Sequence, residues 1–584
     1  MNLEQIIRDK HTGDKEQLDF IFSNDDRIIV TAPAGCGKTT AMVSKIAWNL
    51  SNGKVPMNKK ILAMTFSVNA ATKIKEALKE LLPGLLENYE KELDKVEVAN
   101  YHNFAIKLLY KHGYLLHNEL LNLEQFQIVP EYSDILDKHL ITSQSDILND
   151  FVNAVNNLNY KKVKQLTEPY YKILCEKLFS NHIITYNGIL ICANKLLDIE
   201  TIKNFYQKYY IILIVDEFQD TNYLSFMLIN KLIGGNSTFL LGDDIQKIYG
   251  FLGAIKNIFP EFAKHYQMKE IEFLNNYRFS KNEKMKELDK FIRDYGTTYT
   301  PTTLQAKINV KILDNEDDEA RFILKGVNKI LTSSSDKVAI LVRGGKQADF
   351  IVDKFDENTV PYFNAIFNDT DIEYIKFHEM ALNVFYSVTN GTKSISKKLL
   401  IKCKNDIESK KNEVCTDSQK EYIYHSLLRL LTALFTQVQG IEFSSQERYE
   451  RINFILVNNS LKHMMEFIDE RIVITTIHSA KGLEWDYVII PKLMGCSFPT
   501  YKGTCKKCKR QMGCRVGEKY CEFTFPKGME KEFKEEISVF YVGLTRAKKD
   551  IYVTANTGIN RNGYYDQTSC LLNLPGLKCE EYEW

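Results

Sequence analysis

The sequence predicts an α/β protein made of two parallel-sheet domains in tandem. Each is interrupted by a helical insertion, and the second carries a small four-cysteine insert. Three observations predict it. A strand, a Gly-rich turn and a helix follow one another in RIIVTAPAGCGKTT, from Arg27 to Thr40. An apolar strand ending in two carboxylates, YIILIVDEFQDTN, runs from Tyr210 to Asn222. A fresh buried strand, KVAILVR from Lys337 to Arg343, restarts the pattern after a long helical stretch. Strands that alternate with helical segments imply parallel sheets covered by helices.

Composition bounds this reading. A chain of 584 residues is too long for one core, and roughly three to five domains is the prior. With 44% hydrophobic and 26% charged residues, it has the balance of a soluble globular protein. A net charge of +1 excludes bulk basicity, so a polyanion site must be a local groove. The opening MNLEQIIRDK lacks the apolar core of a secretion signal, and no apolar run reaches the ~18 residues of a membrane span. A cytoplasmic protein with no membrane partner is expected. Twelve Cys over this length do not make a disulfide scaffold.

In chain order, residues 1–109 open the first sheet domain, 110–207 are a helical insertion and 208–295 complete that domain. Residues 296–366 open the second domain, 367–470 are its insertion, and 471–584 complete it, with the cysteine insert at 501–525. The insertions show apolar residues at helical spacing, as in LITSQSDILNDFVNAVNNLN. The basic run KSISKKLLIKCK in the second reads as a solvated helix face.

The turn after the first strand fits G-x-x-x-x-G-K-[ST], with Ala32 in place of the first Gly. Gly35 and Gly37 let backbone N–H groups of Ala34–Thr40 curl around phosphate oxygens. Lys38 supplies a point charge for the β/γ-phosphates, and the Thr39 hydroxyl can sit on Mg²⁺. The following helix offers its N-terminus to the anion. Gln17, on the short helical pattern DKEQLDFIF, has an amide that can pair with an adenine edge; read alone, it is a solvated helix side chain.

KILAMTFSVNAATKIKEAL and VEVANYHNFAIKLL read as further strand–helix units, with Phe66 and His102 at the handovers. At the end of YIILIV, Asp216 can hold Mg²⁺ and Glu217 can take a proton from an attacking water. In STFLLGDDIQKIYGFLGA, Gln246 is positioned to sense a γ-phosphate. Tyr249 and Phe251 in the same stretch suit base stacking, with core packing as the alternative. EFLNNYRFS places Tyr277 and Arg278 just after a strand, where an arginine can reach a γ-phosphate. RIVITTIHSAKGLEWDYVIIPKL carries His478, Ser479 and Lys481 in a polar loop, with Glu484 on a short helix. EEISVFYVGLTRAKKDIYVT is a helix and then a strand, with Arg546 near the helix end.

Together these blocks resemble the UvrD/Rep/PcrA family of superfamily 1A DNA helicases. The phosphate loop, TFSVNAA, VDEFQDTN, GDDIQKIYGFLGA, NNYR, TTIHSAKGLEWD and YVGLTRAKK follow in the family's order, from about residue 14 to 556. The resemblance implies two RecA-like P-loop domains and an ATP-dependent 3′→5′ DNA helicase or translocase, with ATP and Mg²⁺ as cofactors. It implies that Lys38, Thr39 and Asp216 hold Mg-ATP, that Glu217 is the catalytic base and that Gln246 senses the γ-phosphate. Arg278 and Arg546 become arginine fingers. Gln17 and Tyr277 contact adenine, Glu484 contacts the ribose, and Phe66, His102, Tyr249, Phe251 and His478 lie along single-stranded DNA. The chain departs from the family at Leu252 and Thr40, where relatives usually carry Arg, and in a shorter second insertion. The partner implied is single-stranded DNA or a single-strand/duplex junction. Compact UvrD-like proteins occur beside nucleases in anti-phage systems such as Gabija. A DNA-sensing regulatory NTPase subunit of a nuclease, defence or DNA-repair complex is therefore the alternative function.

The insert TCKKCKRQMGCRVGEKYC holds Cys505, Cys508, Cys514 and Cys521 as C-x2-C-x5-C-x6-C. Four thiolates at such spacing can wrap a tetrahedral structural Zn²⁺. An iron–sulfur cluster and an unliganded surface loop remain as alternatives.

Overall fold

The computed structural model describes residues 2–584 except 67, 132, 248–257, 299–301, 334, 369–370, 393, 416, 441–444, 458, 496, 501–529 and 559–567. The chain forms two compact units, 1–280 and 281–584. Among the described residues, no helix is long and apolar enough to cross a membrane.

The first unit is built on six parallel strands: β1 (Arg27–Thr31), β2 (Lys60–Thr65), β3 (Val96–Asn100), β6 (Tyr210–Val215), β7 (Ser237–Gly242) and β8 (Lys269–Glu272), in the order β3-β2-β6-β7-β1-β8. Its central strands β1, β2, β6 and β7 read as apolar runs because both faces are covered, whereas the edge strand β8, KEIE, buries only Ile271. Alternation then sorts the side chains. Ile28, Val30, Ile61, Ala63, Ile212, Ile214 and Leu241 join one core, with Met42 and Ile46 of the helix that follows the Gly-rich turn. Ile29, Leu62, Met64, Leu213, Val215 and Leu240 face a second core, shared with Phe104, Leu108, Ile189 and Leu228. The helical insertion thus covers one face of the sheet.

That insertion is not purely helical. Gln127–Val129 (β4) and Ile183–Thr185 (β5) form a parallel pair. Half-buried Glu131 secures it by accepting the Tyr170 hydroxyl at 2.9 Å and the Asn187 N–H at 2.8 Å. Strands of three residues fall below the length at which periodicity separates strand from helix.

The second unit carries seven parallel strands: β9 (Ala306–Leu313), β10 (Val338–Val342), β11 (Phe363–Ala365), β12 (Ile472–Thr476), β13 (Trp485–Ile490), β14 (Ala547–Asn556) and β15 (Leu577–Glu581), ordered β11-β12-β10-β13-β14-β9-β15. Its insertion packs Ile372–Thr389 against Lys397–Ser409, Glu421–Gln437 and Ser445–Val457. The unit starts near 281 rather than 296, because helix Glu283–Thr298 packs on β9 and on Glu530–Leu544. Tyr541 donates to Asp289 at 2.9 Å across that contact. The four cysteines of the insert lie outside the described residues.

Candidate nucleotide-binding site

The phosphate loop leaves β1 at Thr31 and enters the helix Lys38–Ser51. We number helices α1 (Leu3–Lys10), α2 (Lys15–Phe22) and α3 (Lys38–Ser51). Gly35 and Gly37 have φ of +83° and +71°, a region that costs a Cβ-bearing residue. A Cβ on Gly35 would lie 2.6 Å from the Cβ of Arg278. Three successive loop carbonyls accept bonds from outside the loop. Ala34 accepts from Asn276 Nδ2 at 3.1 Å, Gly35 from the Tyr277 N–H at 2.9 Å, and Cys36 from Gln17 Nε2 at 2.8 Å. With its acceptors turned outward and occupied, the loop can offer N–H groups to an anion.

Lys38 stands on the first turn of α3, with Thr39 and Thr40 half-buried beside it. Its Nζ lies 2.5 Å from Glu217 and 3.2 Å from Asp216. Burial works against its charge, but the two carboxylates outweigh burial and raise its pKa. Asp216 ends β6, and its pKa is raised by burial against the pull of Lys38. Its Oδ1 is cut off from solvent and receives no well-directed hydrogen bond. A buried carboxylate oxygen with spare acceptor capacity, reached by Lys38 from the first turn of α3, fits a Mg²⁺ ligand set.

Glu217 has φ of +53°. For a residue with a Cβ this strain costs on the order of 1–3 kcal/mol and persists only where the surroundings over-determine it. They do so here. Lys38 holds Oε1, and Gln219 Nε2 donates to Oε2 at 2.5 Å. Gln219, fully buried, also accepts the Asp243 N–H at 3.1 Å at the end of β7. Gln246 donates to Asp243 at 2.8 Å. The ends of β1, β6 and β7 thus bring Lys38, Asp216, Glu217 and Gln246 into one network, where ligands of open parallel sheets bind.

The base end is built on α2. Asp14 caps it, accepting from the Gln17 N–H at 3.0 Å, and also accepts the Tyr277 hydroxyl at 2.5 Å and Asn275 Nδ2 at 3.0 Å. Burial works against the Asp14 carboxylate, but these donors lower its pKa. The Tyr277 ring is 40% exposed, while Gln17 is only 2% exposed.

Other expected residues lie apart from this network. Phe66 packs partly against the core beneath the insertion. His102 stands on the first turn of Tyr101–His112, edge-on to Tyr186 at 5.9 Å, and burial pulls its pKa down to about 4. Tyr249 and Phe251 lie outside the described residues.

In the second unit, His478 sits in the turn after β12. Burial, and then Arg343, Lys462 and Lys481, push its pKa down to about 3. Arg546, 3% exposed, donates to the Val542 carbonyl at 2.9 Å, the Leu483 carbonyl at 3.3 Å and Thr545 Oγ1 at 2.9 Å. Glu484 is exposed, 3.9 Å from Lys548, and precedes β13 on a turn rather than on a short helix. Among the described residues no group of His, Cys, Asp and Glu side chains has the arrangement of a metal site.

Sequence reasoning missed His11, Asp14, Gln219, Asp243 and Asn276. Asp14 alone had a local signal, an N-cap residue before a helical run.

The UvrD/REP helicase N-terminal domain model matches residues 14–267, and the UvrD-like helicase C-terminal domain model matches 368–558. The chain is 25% identical to a DNA helicase II of Rickettsia typhi over 93% of this chain and 92% of that protein. It is 25% identical to the ATP-dependent DNA helicase Rep of Buchnera aphidicola, over 90% of each. Against the ATP-dependent DNA helicase PcrA of Staphylococcus aureus it is 23% identical, over 93% of this chain and 83% of that one. Both halves of one family's architecture are therefore present in order, and the chain belongs to the UvrD/REP helicases, a family of ATP-dependent DNA helicases.

Proposed function

We propose that this chain is an ATP-dependent DNA translocase and helicase that moves 3′→5′ on single-stranded DNA. The observation that carries the reading is the Lys38–Asp216–Glu217–Gln219 network at the phosphate loop. Without nucleotide, Lys38 bridges both carboxylates. The β/γ-phosphates of ATP compete for its ammonium, and as it turns to them Glu217, oriented by Gln219, can take a proton from water. Thr39 and Asp216 would hold Mg²⁺, which supplies charge neutralisation on the phosphates. Gln246 senses the γ-phosphate. Arg278, and Arg546 from the second unit, balance the charge that develops on the γ-phosphate. Gln17 and Tyr277 contact the base and Glu484 the ribose. Phe66, His102, Tyr249, Phe251 and His478 contact the DNA strand. A structural Zn²⁺ on Cys505, Cys508, Cys514 and Cys521 completes the reading.

The test is ATPase rate with and without single-stranded DNA, with Glu217→Gln as control. Strong stimulation that the variant loses is the expected result, followed by unwinding of a duplex with a 3′ tail and not of one with a 5′ tail. ATP binding without stimulation would overturn the motor and move the assignment to a regulatory NTPase subunit.

A further inference from the structure

His11 takes no part in the assignments above, yet it is buried beside the base end of the site. It follows α1 as its C-cap, and its ring is clasped between α2 and α3. Nδ1 contacts Gln17 Oε1, and Nε2 lies 2.9 Å from Ser44 Oγ.

The proton positions follow from one neighbour. The Cys36 carbonyl can only accept, so the Gln17 atom 2.8 Å from it is the NH₂ group. The amide oxygen then faces His11, and Nδ1 must carry the proton. Burial lowers the His11 pKa, so the ring is neutral and Nε2 is left to accept from Ser44. Gly37 makes room for this clasp. A Cβ there would lie 2.8 Å from Gln17 Nε2 and 3.6 Å from the Tyr277 ring.

We infer that His11 is a positioning residue for base selection, locking the Gln17 amide in one orientation beside Tyr277. This rests on the reading that Gln17 contacts the base. An amide has two hydrogens and two oxygen lone pairs. Cys36 takes one hydrogen and His11 occupies one lone pair. One of each is left, and that pair matches adenine, whose N6–H donates beside the N7 acceptor. Guanine presents two acceptors, O6 and N7, on the same edge. A Gln free to turn could offer its NH₂ group to both. A Gln held between the Cys36 carbonyl and His11 cannot, so the clasp, with His11 as its second support, turns a general polar contact into a preference for ATP.

The experiment compares kcat/KM for ATP and GTP in wild type, Gln17→Ala, His11→Ala, His11→Asp and His11→Asn, with Tm measured for each. Gln17→Ala is expected to collapse the ATP preference. His11→Ala and His11→Asp should lower it about tenfold, the value of one directed hydrogen bond. His11→Asn should keep it, because its Nδ2 donates from the place of the imidazole Nδ1. If Gln17→Ala leaves the preference intact, the base reading falls. If Gln17→Ala removes it but His11→Asp does not, the base reading stands and the lock is overturned. A uniform loss of rate on both nucleotides with a lowered Tm would make His11 a packing residue only, and would overturn the lock equally.

Discussion

A single buried lysine shows how far one residue's environment can depart from its type. Lys45 lies on the inner face of α3, fully buried, with its Nζ donating to the carbonyls of Ser23 at 2.7 Å and Ile21 at 3.2 Å, over the rings of Phe239 and Phe20. It holds the end of α2 against α3, and so holds the helix that carries Gln17. Burial, and then the nearby Lys54, pull its pKa down to about 7. The unfolded chain binds this proton up to about pH 10.5, the folded chain only up to about 7, so the unfolded state holds more protons between those limits. The folded state therefore gains stability from Lys45 as pH rises from 7 toward 10.5 and loses it again as pH falls back to 7, below which both states hold the proton and the contribution is constant. The gain is on the order of 3–5 kcal/mol. Lys45→Met lacks this dependence. Thermal unfolding at pH 7 and pH 10 should show the wild type gaining relative to the variant at the higher pH; a constant difference would contradict the buried-ammonium account.

At the level of the element, the phosphate loop works because the segment Asn275–Phe279 is laced to it. Asn276 and the Cβ of Arg278 meet the loop in the space that Gly35 leaves open, and the Tyr277 N–H donates to the Gly35 carbonyl. Gly35→Ala must adopt a positive φ at roughly 1 kcal/mol or more and push Arg278 away. ATP affinity should fall at least tenfold while the sheet still folds, checked by nucleotide titration beside far-UV CD. The cysteine insert is a second element with its own test. Elemental analysis should find about one zinc per chain, lost when Cys505 and Cys508 are both changed to Ser. Iron in its place would assign the cluster instead. The elements themselves were legible in the sequence wherever long apolar runs or helical periods declared them, as at YIILIV and KVAILVR. The pair β4 and β5 escaped because three residues carry no period. That helix Glu283–Thr298 belongs to the second unit was not legible, since only its packing on β9 and on Glu530–Leu544 decides that.

For the molecule as a whole, two domain models of one family match in tandem, and the proposed turnover draws on residues far apart in the chain. Arg546 is the sharpest case. Its side chain is tied to carbonyls of its own unit, but the proposed reaction uses its charge at the γ-phosphate. Arg546→Ala should reduce DNA-stimulated ATPase by about 10³-fold or more, while ATP binding changes little. Retention of more than about a tenth of wild-type activity would remove it from the reaction. By itself, the sequence determined the fold class, the order of the two sheet domains and the identity of Lys38, Asp216, Glu217 and Gln246. These are written in local spacing: a glycine-rich turn, an apolar strand and the polar residues that end it. Tertiary structure alone decided what surrounds them. Gln219 and Asp243 stand 24 residues apart and meet only because β6 and β7 pair side by side. Asp14 reaches Tyr277 across 263 positions because the sheet brings the loop after β8 to the cap of α2. Gln17, which read alone is a solvated helix side chain, and His11 form a buried clasp because α3 packs over them, and no local pattern records which face a neighbouring helix will cover.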